Sequence, residues 1–175
     1  MGARIERALP PAEERAAANE RMRDLLTGPE PGPMAERLAV LRFTGRRTGR
    51  RYELPVGVHS IDDIPVIATS GGWRHNFADG AGTEIIWRGA RRTARLVAVT
   101  DPDRTARGYL ELYRRYEDAA ERRLGITVTG DPDLDAFRGA VDRCGLSLLE
   151  VRFDTEGDGA SDSCPSHVSA ERTSR

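Results

Sequence analysis

The stretch Leu38–Val58, LAVLRFTGRRTGRRYELPVGV, decides how the rest of the chain is read. Leu38, Val40, Leu41 and Phe43 form a short apolar run suited to a buried strand. Tyr52, Leu54, Val56 and Val58 then alternate with Glu53, Pro55, Gly57 and His59, the period of a strand with one buried face. Between the two strands lies TGRRTGRR. Gly45 and Gly49 open backbone conformations closed to other residues, so amides can turn inward. Arg46, Arg47, Arg50 and Arg51 load the same turn with positive charge, and no acid occurs between Glu36 and Glu53. Inward amides form an anion nest and guanidinium binds phosphate through paired hydrogen bonds, so the turn is a candidate phosphate site. The plainer alternative is a solvated hairpin whose arginines only maintain solubility.

This charge is local. The chain has 175 residues and a formal net charge of -1, so overall basicity does not explain the turn. That length allows one domain with a substantial core. All 27 Lys+Arg residues are arginine, which excludes a Schiff-base lysine and any lysine-dependent phosphate loop. Cys144 and Cys164 make no disulfide framework, and the spacing of His59, His75 and His167 suits no metal, so no metal site is expected. No apolar run approaches the ~18–20 residues of a membrane span, and the charged N-terminus does not read as a signal peptide. The expected location is the cytoplasm.

Three regions are expected. Residues 1–33 carry a helix over AEERAAANERMRDLLTG, acids early and arginines late, followed by the linker GPEPGP. The helix is either a cap on the sheet, a cover for a cofactor mouth or a loose arm. Residues 34–153 form the main domain. After the strand–turn–strand unit come a hairpin connection at Ser60–Asp63 and the apolar strand IPVIAT. Pro65 marks an edge strand or a strand beginning. One or two helical turns follow within SGGWRHNFADGAG, then two more strands on either side of Gly89. A helix is expected from Pro102 to Arg123, capped by Asp101 and Asp103, and a second begins at Asp133 and stops at Gly145. Residues 125–130 read as irregular, and LSLLEVRF is the last strand. Successive short strands before any long helix imply an α+β fold built on a mainly antiparallel sheet or small barrel. From residue 154 the composition predicts a disordered tail.

The segments LRFTGRRTGRRYELPV, IPVIATSGGWRHNF and TEIIWRGARRTARLVAV together resemble the deazaflavin-dependent nitroreductase/quinone reductase family. The likeness rests on T-G-R-x-[ST]-G at Thr44–Gly49, a mid-strand proline at Pro55, the hydrophobic strand Ile64–Ala68, and Trp73 with Asn76 before the next strand. It covers roughly residues 38–100. The resemblance implies a six-stranded split β-barrel of the flavin-reductase type and a site for the 5-deazaflavin coenzyme F420. Its anionic tail would lie on Arg46, Arg47, Thr48, Gly49, Arg50 and Arg51. Its ring would lie near Pro55, Val56 and Gly57, bounded by Ser70, Gly71 and Gly72. Trp73 would pack the loop, Arg74 would be a second anion contact and Asn76 would fix the loop. Tyrosines on the late helix line the substrate pocket in related nitroreductases, which points to Tyr113 and Tyr116, with Tyr109 on the same helix. The lysine often found in the family's turn is arginine in this chain, keeping charge while changing contact geometry.

The activity implied is hydride transfer from reduced F420 to a quinone, enone or other conjugated small molecule, with Tyr113, Tyr116 or His75 as proton donor. Loss of Arg47 or Arg50 would then weaken the coenzyme by ~10–100-fold. Other readings stay open: a cofactor-free cyclase, isomerase or small-molecule-binding barrel, or a binder of flavin mononucleotide (FMN) or haem. Nucleic acid is disfavoured, because Tyr52 is the only aromatic after the clustered arginines. Barrels of this type often pair, so a homodimer is a partner the resemblance implies.

Overall fold

The computed structural model describes residues 2–154; the expected tail, with Cys164 and His167, lies outside them from residue 155 onward. The fold is α+β. Seven antiparallel strands form the main sheet: β2 (Leu38–Thr44), β3 (Arg51–Gly57), β4 (His59–Ile61), β5 (Ile64–Thr69), β6 (Ala81–Trp87), β7 (Ala90–Ala98) and β9 (Ser147–Phe153). Their order is β3-β2-β6-β7-β9-β5-β4. The two edge strands, β3 and β4, are consecutive in the chain and separated only by Val58. A single residue cannot span a flat seven-stranded sheet, whose strands stand about 4.8 Å apart. The sheet must therefore curl until its edges meet, which makes it a half-open barrel.

Alternation along the strands sorts side chains to two faces. Ala39, Leu41, Phe43, Val56, Ile67, Ile85, Leu96, Leu149 and Val151 fill the barrel interior. Val40 and Ile86 point outward and are covered by Leu26 of the helix α1 (Ala12–Thr27) and by Ala35. On the other flank, Val66 and Leu148 meet α2 (Pro102–Tyr116) and α4 (Leu134–Cys144) through Tyr109, Leu112 and Phe137. Pro55 lies on edge strand β3, where its missing N–H breaks no central ladder. Pro65 is the second residue of β5, a strand beginning, and β5 is not an edge.

The hairpins and caps follow local chemistry. Asp62 and Asp63 turn β4 into β5 with φ of 50° and 62°, a pair of left-handed residues suited to a two-residue hairpin. Asp101 Oδ1 accepts from Asp103 N at 2.9 Å, and Asp133 Oδ1 accepts from Ala136 N at 2.8 Å, satisfying amides that a helix start leaves free.

Five elements depart from expectation. His59–Ile61 is a strand, where the sequence suggests only a connection. Pro33–Glu36, at the end of the linker, forms a 3-10 turn. The helix expected to run to Arg123 ends at Tyr116; Glu117, at φ 47°, breaks it, and α3 (Ala120–Leu124) begins anew. Residues 126–129 are not irregular. They form β8 (Ile126–Thr129), antiparallel to an N-terminal strand β1 (Arg4–Arg7), with Ile5 opposite Val128. Ile5 is fully buried, and it is the only apolar residue of RIER, so β1 carries no period of its own.

Candidate functional site

The N-terminal segment gives the barrel its main cavity. Arg7 Nε donates to Ser70 Oγ at 3.2 Å, and Ala8 N donates to the carbonyl of Gly125 at 3.0 Å. These bonds hold residues 7–10 across the end of β5, beside the turn after α3. The resulting cavity measures about 550 Å3, within the ~300–1,000 Å3 usual for small-molecule sites. One wall is Leu54, Pro55, Val56 and Gly57 of β3 with Ile67 to Thr69 of β5, and the far corner is Ser70 to Trp73. Arg15 and Asn19 of α1 lie along the mouth. The helix is therefore not a loose arm: Leu26 packs on the outer face of the sheet, and Arg15 and Asn19 border the cavity.

The cavity's electrostatics come from Arg7, Arg15, Arg122 and Arg123, and no carboxylate lines it. None of these four is in an ion pair among the described residues. A cleft lined by one sign of charge over apolar walls concentrates its field on an entering anion.

The corner is rigid for identifiable reasons. Arg74 donates to the carbonyls of Ser70 at 3.2 Å and Gly71 at 3.0 Å. Tyr109, fully buried, places its hydroxyl 3.3 Å from the carbonyls of Thr69 and Ser147, and burial raises its pKa above the ordinary tyrosine value. Gly71 is required by packing: a Cβ there would stand 2.6 Å from the Trp73 indole nitrogen. Trp73 also joins an aromatic cluster, its ring centroid 6.1 Å from Phe43 and 6.0 Å from Phe77.

The basic turn sits differently. Its residues Arg46 to Arg51 are exposed, and Arg46, Arg47, Thr48, Gly49 and Arg50 do not line the main cavity. The amide nest expected from its glycines does not form from the amides that are already committed. Gly45 N bonds the Arg50 carbonyl at 2.7 Å, Gly49 N the Gly45 carbonyl at 2.8 Å, and Arg46 N the Asn76 Oδ1 at 2.8 Å. Arg50 N takes the Thr48 hydroxyl at 3.3 Å. The Arg46 guanidinium pairs with Asp79 at 2.9 Å. Arg51 lines a separate groove on the outer face that contains Glu53 and Glu84, both bound by Arg42 at 3.2 and 3.0 Å. Arg47 and Arg50 have no ion-pair partner among the described residues; Arg50 lies 5.8 Å from the Tyr52 ring.

Of the residues expected at the site, the fold gathers Pro55, Val56, Ser70, Gly71, Gly72 and Trp73 around one cavity, with Arg74 and Asn76 immediately behind. His75 is exposed and lines no described cavity. Tyr113 packs on Phe137 at 5.9 Å between ring centroids. Tyr116 turns elsewhere: its hydroxyl lies 2.8 Å from Nδ1 of His59, which is buried. Burial first, then Arg123 and Arg115, pushes the His59 pKa down to about 4, so the imidazole is neutral at pH 7. Sequence reasoning passed over Arg7, Arg15, Arg122, Arg123 and the His59–Tyr116 pair. In a chain with arginine at 27 positions, nothing local distinguishes the four that converge.

No protein-family model matches the chain, and no curated protein matches it. Among solved structures, the chain is similar to the FAD and heme binding protein from Mycobacterium smegmatis, at 20% identity and a TM-score of 0.38, covering 77% of this chain and 66% of that one. It is also similar to a candidate 5-nitroimidazole antibiotic resistance protein from Bacteroides thetaiotaomicron, at 11% identity and a TM-score of 0.39, covering 89% and 86%. A FAD-binding protein from Mesorhizobium loti matches at 12% identity and a TM-score of 0.38, covering 89% and 95%. Likenesses this distant carry no cofactor or activity over to the present chain. No helix among the described residues is long and apolar enough to cross a membrane.

Proposed function

We propose that the chain is a reductase that binds coenzyme F420 in the cavity between β3, the Ser70–Trp73 corner and the N-terminal segment, and acts on a quinone, enone or other conjugated small molecule. The observation that carries this reading is a cavity of about 550 Å3 with an apolar floor, four arginines and no acid. That donor set fits a flat conjugated ring with an anionic tail. A neutral ligand would leave the guanidinium groups without partners, and a cation would be repelled.

When bound, the coenzyme supplies a hydride to an electron-poor carbon. The chain's own residues do the holding. Pro55, Val56, Gly57 and Ile67 offer an apolar surface to the ring, and Ser70 with the Gly71–Gly72 backbone offers polar groups at its edge. Arg7, Arg15, Arg122 and Arg123 hold the tail. Each charge-assisted hydrogen bond is worth roughly 1.5–3 kcal/mol. Arg47 and Arg50 do not line this cavity and would contribute little to holding the tail. The α1 helix, through Arg15 and Asn19, limits access of water over the ring.

The test is spectroscopic titration of the purified full chain with oxidised F420, FMN and haem in turn. F420 is expected to bind in the micromolar range and to lose at least ~10-fold in affinity in Arg15→Ala, the effect of one charge-assisted contact. Failure to bind F420 while FMN or haem binds would overturn the coenzyme assignment; binding of none would return the protein to the cofactor-free class.

A further inference from the structure

A second cavity, of about 510 Å3, adjoins the first and shares Gly57, Arg122 and Arg123 with it. Its remaining lining is Met34, Arg37, Leu38 and His59. Three guanidinium groups face it, and again no carboxylate does. None of the three has an ion-pair partner among the described residues. Met34 and Leu38 supply apolar surface. The wall includes one side chain that is itself incomplete: His59 is only 4% exposed, and its Nε2 has no hydrogen-bond partner among the described residues. A buried polar atom left in that state costs about 1–3 kcal/mol, which a ligand atom can recover.

The other side of that imidazole is fixed. Nδ1 lies 2.8 Å from the Tyr116 hydroxyl, and the Arg123 guanidinium sits 3.5 Å from the Tyr116 ring centroid. A cation on the ring face polarises the phenol and strengthens it as a donor. With Tyr116 as the donor to Nδ1, the single proton of a neutral imidazole resides on Nε2. In that tautomer the polar side chains on this wall are all donors: three guanidiniums and one imidazole N–H. A ligand that satisfies them must be rich in acceptors. A Cβ at residue 57 would stand 3.3 Å from His59 Nε2, a tight contact, so glycine leaves this face of the imidazole clear.

We propose that this second cavity is a binding site for a small organic anion, a carboxylate or phosphate on an apolar body, recognised by Arg37, Arg122, Arg123 and His59. Its position against the main cavity makes it the subsite where an acidic substrate would lie; that last clause rests on the reductase reading, whereas anion binding itself does not. Tyr116 is a positioning residue, setting the imidazole's tautomer.

The test is calorimetric titration of the full chain, without coenzyme, using 4-nitrobenzoate, phenyl phosphate and the neutral 4-nitrobenzamide. The anions are expected to bind at least ~10-fold tighter than the amide, as one charge-assisted contact requires. Whichever of benzoate and phenyl phosphate binds tighter identifies the headgroup. Arg37→Ala, an exposed side chain that lines only this cavity, should weaken the anions at least ~10-fold, and Arg37→Lys should restore part of the loss. Arg15→Ala, on the main cavity, should leave anion binding within ~3-fold while weakening F420. Equal binding of amide and anions, indifference to Arg37→Ala, or loss in Arg15→Ala would each overturn the proposal. Tyr116→Phe supplies the tautomer readout: the imidazole 15N shifts should move from protonated Nε2 toward a mixture, and unchanged shifts would remove Tyr116 from its role. Absence of F420 binding with anion binding intact would defeat the reductase reading alone.

Discussion

The β2–β3 turn and the main cavity each carry four arginines, and they differ in what surrounds them. In the turn, Arg46, Arg47, Arg50 and Arg51 come from six consecutive positions and stand exposed. One is paired with Asp79, one borders a groove containing Glu53 and Glu84, and four backbone amides are used within the protein. In the cavity, Arg7 and Arg15 come from β1 and α1 and Arg122 and Arg123 from α3, more than a hundred residues later, over apolar walls and with no acid in the lining. Charge density along the chain is therefore a poor measure of binding potential. What matters is whether the charges converge on a low-dielectric space and whether acids share it.

The sharpest way to break this contrast is to remove the shared pair. Arg122→Ala with Arg123→Ala is expected to weaken F420 by on the order of 10²–10⁴-fold, two charge-assisted contacts' worth, read by fluorescence titration. Retention of wild-type affinity would show that the cavity's charge is incidental.

Next in size is a pH effect on stability from His59. Its folded pKa is about 4 against 6.5 in the unfolded chain, so between those values the unfolded state binds a proton that the folded state does not. Stability from this group is present above pH 6.5 and lost as pH falls toward 4, by up to about 3 kcal/mol. Urea denaturation of wild type and His59→Gln from pH 7.5 to 4.5 should show a steeper decline in the wild type. Parallel curves would mean the imidazole is already solvated in the fold.

Adding an acid tests the importance of its absence. Asn19→Asp at the mouth of the main cavity should weaken F420 by roughly 10-fold through repulsion and by neutralising Arg15, with the loss shrinking at high salt. A salt-independent loss would point to a steric cause instead. The smallest effect is expected in the turn. Arg47→Ala and Arg50→Ala should each change affinity by less than ~3-fold, well short of a full charge-assisted contact. A loss of 10-fold or more would restore the turn as the main tail site.

The strands, hairpins and helix caps could be read from the sequence because their signals are local. Alternation in Tyr52–Val58, Asp101 and Asp133 before their helices, and Gly145 after one of them, each act within a few residues. Pro55, Val56 and the Ser70–Trp73 corner were named through the family resemblance, and the fold brings them to one cavity. β1 was not. RIER has one apolar residue, and its partner Ile126–Thr129 lies some 120 positions away. The break at Glu117 was equally silent, although it lets Arg122 and Arg123 reach both cavities.

The amino-acid order by itself determined the elements and the face each one buries, because backbone propensity and hydrophobic period are properties of neighbouring residues. Only the tertiary structure decided which arginines act together. Curling of the sheet at Val58 and pairing of β1 with β8 bring distant cations to one apolar hollow, and the strength of their combined field depends on separation through space and on excluded water, neither of which is written along the chain.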